Sequence, residues 1–374
     1  MNIGLDAKRI VANGTGLGSY GRNLANDLTS IIDPQTHLRL YAPSPGRDDL
    51  RSQVHPSAQL SFVYPSGWMP KWLWRSAGIV SQLKRDGVDI YHGLSGELPI
   101  GIHRSGIRSV VTIHDLIFMR HPEYYHWVDS QIYAWKFHHT VAEADRIIAI
   151  SECTKRDIMH FGHVDESKID VIYQSCSTHF KMRESDARLQ DVHARYLLPS
   201  RYIISVGTVE RRKNILLAVK ALQHISDVDL VIVGRQTAYA DEVKTYIAHH
   251  GLAGRVKWLT GVPNADLPAL YQMAEACVYP SRYEGFGVPI IEAVQSGLPV
   301  VACTGSCLEE AGGPDCLYVD PDDDRAMARA IGQVVIGAPD RDARIARSMA
   351  YVTRFEGTNV AAKVMDVYHQ VLGK

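Results

Sequence analysis

The 374-residue sequence has no run approaching the roughly 18 consecutive apolar residues of a membrane-crossing helix. It has almost no net charge: 40 Lys and Arg against 41 Asp and Glu leave −1. No global field therefore draws nucleic acid or an anionic membrane to it. Its six cysteines, at 153, 176, 277, 303, 307 and 316, form no CxxC pair. That excludes a zinc ribbon or a CxxC redox centre, and the cysteines in apolar runs read as reduced, buried thiols of a cytoplasmic protein. The opening "MNIGLDAKRIVANG" lacks a basic stretch followed by an apolar one, so no secretory signal is expected. Tandem repeats and low-complexity tracts are also missing.

What is present is an ordinary globular composition, 46% hydrophobic and 22% charged, in a chain long enough for two domains. Short apolar runs alternate with amphipathic ones. "NIGLD", "HLRLYAP", "LSFVYP", "VDIYHG", "SVVTIHD", "RIIAIS" and "IDVIYQ" read as one series of strands, and "YIISVGTV", "VDLVIVG", "VKWLTG", "ACVYPS", "LPVVAC" and "CLYVD" as a second. Apolar strands separated by helices predict parallel sheets covered on both faces. Two series predict two doubly wound α/β domains, with ligands at the C-terminal ends of the strands in a cleft between them. The polar, non-periodic stretch 174–195 is the expected linker. "NVAAKVMDVYHQVLGK" is read as an amphipathic C-terminal helix.

Four stretches after strand ends carry the chemistry. "NGTGLGSYGRNL" places Gly16, Gly18 and Gly21 in a GxGxxG spacing. A dinucleotide fold is disfavoured, because residues 7–14 intervene after the strand and no acid ends the next one. The loop is read instead as backbone N–H groups facing a diphosphate, with a structural turn as the alternative. "VVTIHDL" puts His114 at a strand end, either lining the cleft or satisfied by neighbouring backbone. "SVGTVERRKN" sets Arg212 and Lys213 between a strand and a helix, where a fork and a point charge would hold phosphate; Arg211 is read as exposed. "RYEGFGVPIIEA" carries Glu284 on a loop and Glu292 one turn into a helix. The N–H groups of Gly285, Phe286, Gly287 and Val288 can face an anion there, and each carboxylate can accept the hydroxyls of a sugar or ribose.

That last stretch resembles the E-x7-E motif of the family-4 retaining glycosyltransferases. Glu284, Gly285, Phe286, Gly287, Pro289, Glu292, Ala293, Gly297, Pro299 and Val300 fit the pattern. "GTGLGSYGRNL", "TIHDL" and "GTVERRKN" resemble the family's other motifs, in its order; Arg211 departs from it, standing where proline is common. The resemblance implies a GT-B fold, two Rossmann-like domains facing across a cleft. Residues 1–178 would bind acceptor, with a C-terminal helix, 356–374, returning to them, and residues 179–355 would bind the nucleotide-sugar. It implies roles as well. Glu292 would hold ribose, and Arg212 and Lys213 the leaving diphosphate, with backbone N–H groups at Gly16 and in the 285–287 turn. Glu284 and His114 would contact the donor sugar. The implied donor is GDP-mannose or a UDP-sugar, without cofactor or metal. The implied acceptor is a glycan or a lipid-linked oligosaccharide of surface polysaccharide assembly, such as lipopolysaccharide, met at the inner face of the membrane. A nucleotide-sugar 2-epimerase and a non-catalytic binding protein are the other readings. The acids of "PDDDRA" read as a loop and helix cap. Trp68, Trp72 and Trp74 pack a helix or form a patch for a lipid-linked acceptor.

Overall fold

Each apolar segment read as a strand forms one, because three to six residues, most of them rich in Val, Ile and Leu, are buried on both faces in the central strands and partly buried at the edges. The computed structural model describes residues 1–65 and 69–373. The chain divides into two compact units, Met1–Ser175 with Phe355–Lys374, and Cys176–Arg354.

The first unit holds β1 (Asn2–Asp6), β2 (His37–Tyr41), β3 (Leu60–Val63), β4 (Ile90–Gly93), β5 (Arg108–Ile113), β6 (Arg146–Ala149) and β7 (Ile169–Val171). They lie in the order β3-β2-β1-β4-β5-β6-β7, every pair parallel. The second holds β8 (Tyr202–Val206), β9 (Asp229–Val233), β10 (Val256–Leu259), β11 (Ala276–Tyr279), β12 (Val300–Cys303) and β13 (Leu317–Val319). Their order is β10-β9-β8-β11-β12-β13, again all parallel. Both orders reverse direction once, between β1 and β4 and between β8 and β11. Such a switch point opens a crevice beyond the strand ends.

The helices that matter below are α1 (Lys8–Ala12), α2 (Gly16–Ile31), α3 (Trp127–Glu143), α4 (Asp186–Tyr196), α5 (Ile215–Ala221), α6 (Val288–Gln295) and α7 (Gly357–Leu372). In the first unit, α7 lays Val360, Ala361, Val364, Val367 and Tyr368 into the core that α2 fills with Tyr20, Leu24 and Leu28. The chain thus returns to its first unit. All six cysteines are buried thiols.

The chain passes from one unit to the other at 175–176, inside the polar stretch 174–195, and the later part of that stretch contains α4. Its N-cap is the Ser185 hydroxyl, which accepts from the Arg188 N–H at 3.3 Å. Val192 is the sole fully buried residue of α4, so the helix shows little hydrophobic period. It is fixed instead by Arg188, Arg195 and Tyr196, which converge on the buried Asp266 carboxylate.

Candidate active site

The second unit assembles its switch point from the two loops that follow β8 and β11. Gly207 leaves β8 at φ 150°, a conformation glycine accepts readily. Its oxygen lies where a Cβ on Gly234 would approach to 1.9 Å, so the next strand's end also requires glycine. The loop ends in a 3₁₀ turn, Arg211–Lys213. Asn214 follows in the left-handed region (φ 52°), anchored by its amide donating to the Pro321 carbonyl at 2.9 Å. The Arg282 N–H donates to the Arg212 carbonyl at 2.9 Å and ties this loop to the one after β11.

Glu284 lies buried between the two loops. The Arg212 guanidinium is 2.7 Å from one of its oxygens, and the Lys213 ammonium is 2.5 Å from the other. Arg212 also donates to Glu210 and to the Tyr283 carbonyl, each at 2.7 Å. Lys213 donates to the Tyr279 hydroxyl at 2.8 Å. Burial alone would raise the Glu284 carboxyl; Lys213 and Arg212 overcome it and hold the group at about 2. Arg212 is held firmly charged in return, against its own burial. The three residues named from the sequence therefore form one knot of two cations on one carboxylate. Arg211 stands outside it, exposed, paired with Glu242 at 2.5 Å and lying over the Tyr239 ring.

Glu292 sits elsewhere, on α6, where the Tyr271 hydroxyl donates to it at 3.2 Å. Burial pushes its carboxyl up to about 7, only partly offset by that bond. Among the described residues the two glutamates share no hydrogen-bond partner. Between them Gly287 starts α6 at φ 130°, with Pro289 in the first turn. The buried Phe286 is held through its carbonyl, which accepts from the Cys307 thiol at 2.8 Å. The acids at 321–326 do cap and pair. Asp323 accepts from the Ala326 N–H at 2.7 Å, Asp322 pairs with Arg282, and Asp324 with His224.

In the first unit His114 follows β5 with both ring nitrogens engaged. Nε2 lies 2.8 Å from the Leu94 carbonyl, so it is the donor; Nδ1 lies 2.8 Å from the Gln174 amide nitrogen, so it accepts. The Tyr20 ring meets it edge-on, and burial lowers it to about 4, leaving it neutral. The two glycines before it differ. Gly16 opens α2 exposed, with nothing within 4 Å of a notional Cβ. Gly18 is buried, and a Cβ there would meet the Asn13 carbonyl oxygen at 1.8 Å. Gly18 therefore serves the packing of α2 against the preceding turn. The segment that separates this loop from β1 is the helix α1.

Several groups escaped the sequence reading. Tyr279 and Tyr271 are strand-end and helix residues whose hydroxyls reach the two glutamates. Gln174 lies about 60 positions from His114, and no local pattern links them. At the first unit's switch point Arg75 bridges Asp6, the last residue of β1, and Glu97, beyond β4; Lys136 from α3 joins at 3.1 Å. A search of strand ends for acids would have found Asp6 and Glu97. Of the three tryptophans, Trp74 is buried and donates to Gln82 at 3.0 Å, whereas Trp72 is 71% exposed; Trp68 lies outside the described residues.

Two doubly wound parallel sheets of seven and six strands, joined in this order and with the C-terminal helix on the first, define the GT-B fold. The architecture is similar to Anabaena Alr3699/HepE solved with UDP and glucose (TM-score 0.75, 17% identity, 99% of each chain). It is similar as well to the sucrose-phosphate synthase of Thermosynechococcus elongatus (TM-score 0.78, 19% identity, 100% of this chain and 99% of that one). The family model "Glycosyltransferase Family 4" matches residues 15–179, and "Glycosyl transferases group 1" matches residues 194–348. O-antigen chain mannosyltransferase B of Escherichia coli is 32% identical over 287 residues, 75% of this chain and 74% of its own. O-antigen chain mannosyltransferase RfbU of Salmonella typhimurium is 29% identical over 255 residues, 68% and 67%. The chain belongs to the family-4 glycosyltransferases and is a glycosyltransferase.

Proposed function

We propose that the chain moves mannose from GDP-mannose to a hydroxyl of a glycan or lipid-linked acceptor in the assembly of a surface polysaccharide, with retention at the anomeric carbon. The knot of Arg212 and Lys213 on Glu284 supports this reading most directly. A glycosyl–phosphate bond that breaks leaves charge on the diphosphate, and two fixed cations at a strand-end crevice stabilise that charge as it forms. In the empty site the carboxylate holds both cations in place. When donor arrives, the diphosphate takes over the cations and Glu284 turns its lone pairs to sugar hydroxyls. Glu292 accepts from the ribose, and the backbone of Gly285, Phe286, Gly287 and Val288 faces phosphate and sugar. His114, neutral and with Nδ1 as acceptor, takes a sugar hydroxyl's proton bond in exchange for Gln174.

The acceptor oxygen attacks the anomeric carbon on the face the diphosphate leaves. The carbon–oxygen bond to phosphate breaks, the new glycosidic bond forms, and the leaving phosphate oxygen carries away the acceptor proton. With Arg212 and Lys213 supplying the positive charge, the step runs without a metal. The mannosyltransferase names of the relatives favour mannose, and the Escherichia coli and Salmonella O-antigen enzymes favour a surface glycan.

The test is thermal shift with GDP-mannose, UDP-glucose and UDP-N-acetylglucosamine, each with and without EDTA, followed by NMR of the glycosidic product. A ligand that binds only the native state raises the melting point. A rise with GDP-mannose that survives EDTA, and an α-linked product, is the expected outcome. A rise confined to a UDP-sugar would reassign the donor. Inverted product, or a covalent sugar trapped on Glu284, would overturn the mechanism.

A further inference from the structure

The first unit contains a cavity of about 420 Å³ at its own switch point, outside the motifs that carry the family. Lys8, just beyond β1, and Lys71 sit on its wall beside Trp72, Ile100, Trp135 and Lys136. Three of these apolar side chains face water: Trp72 is 71% exposed, Trp135 63% and Ile100 51%. The helix carrying Trp72 contains a π turn, Trp74–Gly78. Such irregular turns recur at functional sites. Here it carries Arg75 onto Asp6 and Glu97 while Trp72 stays outside.

The charges on this wall are unequal. Glu97 is shared by Arg75 and Lys136, and Asp6 by Arg75. Among the described residues, Lys8 and Lys71 have no carboxylate within ion-pair distance. The Lys8 ammonium is held below its usual range by burial and by Arg75, a cost that an arriving anion would relieve. Among the described residues, His139 Nε2 at the same wall has no hydrogen-bond partner, with the Glu143 carboxylate 3.9 Å away. From the cavity an apolar track runs along α3. Val128, Ile132 and Trp135 are exposed and recur at i, i+4 and i+7, one face of the helix, with Trp127 exposed at its start. A free sugar or a free phosphate would have no use for that track. A phosphate group attached to a long apolar chain would use both parts.

We infer that this cavity binds the lipid-linked acceptor by its anchor: the diphosphate sits between Lys8, Lys71 and Lys136, and the chain lies over Trp72, Ile100 and the α3 face ending in Trp135. The inference names the acceptor class for the transfer proposed above and rests on that reading for the sugar chemistry, not for the binding.

The experiment is calorimetric titration of the full chain with GDP and UDP in excess, so that the second unit's cations are occupied. The probes are farnesyl diphosphate, inorganic pyrophosphate, and vesicles of phosphatidylglycerol without any isoprenoid. Farnesyl diphosphate should bind at least tenfold more tightly than pyrophosphate. Lys8→Gln with Lys71→Gln should weaken it by tenfold or more. Trp135→Ser should weaken farnesyl diphosphate about five- to tenfold and leave pyrophosphate unchanged. Circular dichroism and the GDP-mannose thermal shift on the same preparations report whether each variant is folded. Equal affinity for the two diphosphates would overturn the inference in favour of a bare anion site. So would loss of vesicle binding in Trp135→Ser with farnesyl diphosphate unaffected, which would make the face a membrane-surface contact. Farnesyl diphosphate that fails to bind a protein responding to GDP-mannose would sink this inference alone; the reverse result would sink the donor reading alone.

Discussion

Glu284→Gln isolates the charge that holds the second unit's knot together. The carboxyl is depressed from 4.5 to about 2, and each tenfold change in its acidity is worth about 1.4 kcal/mol. The depressed group contributes about 3 kcal/mol to stability above the unfolded value of 4.5, and this is lost as pH falls from there towards 2. Its replacement leaves Lys213 facing a neutral amide and Arg212 with Glu210 alone. At pH 7 the variant should melt about 6–12 °C below the parent, taking roughly 2–4 °C per kcal/mol for a unit of this size. Differential scanning calorimetry at pH 7 and pH 3 reads the difference, and by pH 3 the gap should shrink to about two fifths. The same substitution frees Arg212 and Lys213 for phosphate. Nucleoside diphosphate should therefore bind no worse than to the parent, while transfer falls by about 10² or more because the sugar has lost its acceptor groups. A gap that is equal at both pH values would refute the electrostatic account. Weaker diphosphate binding with normal turnover would refute the assigned division of labour.

Glu292 carries the opposite sign. Its carboxyl is raised from 4.5 to about 7, so the folded state loses stability as pH rises through that window, and Glu292→Gln should raise the melting point at pH 8 while changing little at pH 4.5; ligand-free melts at the two pH values check it. Gly18→Ala drives a methyl onto the Asn13 carbonyl and should cost about 1–3 kcal/mol in urea unfolding, whereas Gly16→Ala meets nothing and should be neutral or slightly stabilising. Gln174→Glu replaces the donor to His114 Nδ1 with an acceptor, which should switch the ring to the doubly protonated form and raise its titration, seen in ¹⁵N-resolved NMR as a shift absent from Gln174→Leu. Arg211→Ala breaks only an exposed pair with Glu242 and should change stability by less than about 1 kcal/mol, measured in the same urea series.

The strands were readable because parallel strands buried on both faces appear in sequence as uninterrupted Val, Ile and Leu, and each such run here became one strand. The helix α4 was not readable for the converse reason: it is fixed by ion pairs to Asp266, about 70 positions away, and buries one valine. The same limit separates the site residues. Arg212, Lys213 and Glu284 stand beside strand ends, where position alone marks them. Gln174, Tyr271 and Tyr279 do their work through contacts that only the folded chain makes. At Gly18 the spacing is that of a phosphate loop, and the structure adds a packing requirement, the Asn13 carbonyl oxygen behind it, that the spacing does not show.

The two units solve one electrostatic problem in the same way. A crevice meant for a multiply charged anion needs fixed cations, and cations that are buried without partners destabilise the empty protein. In the second unit Glu284, after β11, holds the Arg212 and Lys213 that follow β8. In the first, Asp6 at the end of β1 and Glu97 after β4 hold Arg75 and, through Glu97, Lys136; Arg75 and Lys136 overcome the burial of Glu97 and keep its carboxyl at about 2. Each switch point thus carries its counter-charge within the protein, and on the readings proposed above a ligand replaces it. The units differ in what remains over. The second unit's knot has two carboxylates, Glu284 and Glu210, for its two cations, and lies beside the glycine-rich turn and Glu292. The first unit's knot is nearly neutral, and its surplus lies outside it, on Lys8 and Lys71 beside exposed tryptophan. On the inference drawn above, Lys8 and Lys71 on an apolar rim beside a balanced knot suit a ligand whose charge and grease are adjacent, which is the chemistry of a lipid diphosphate.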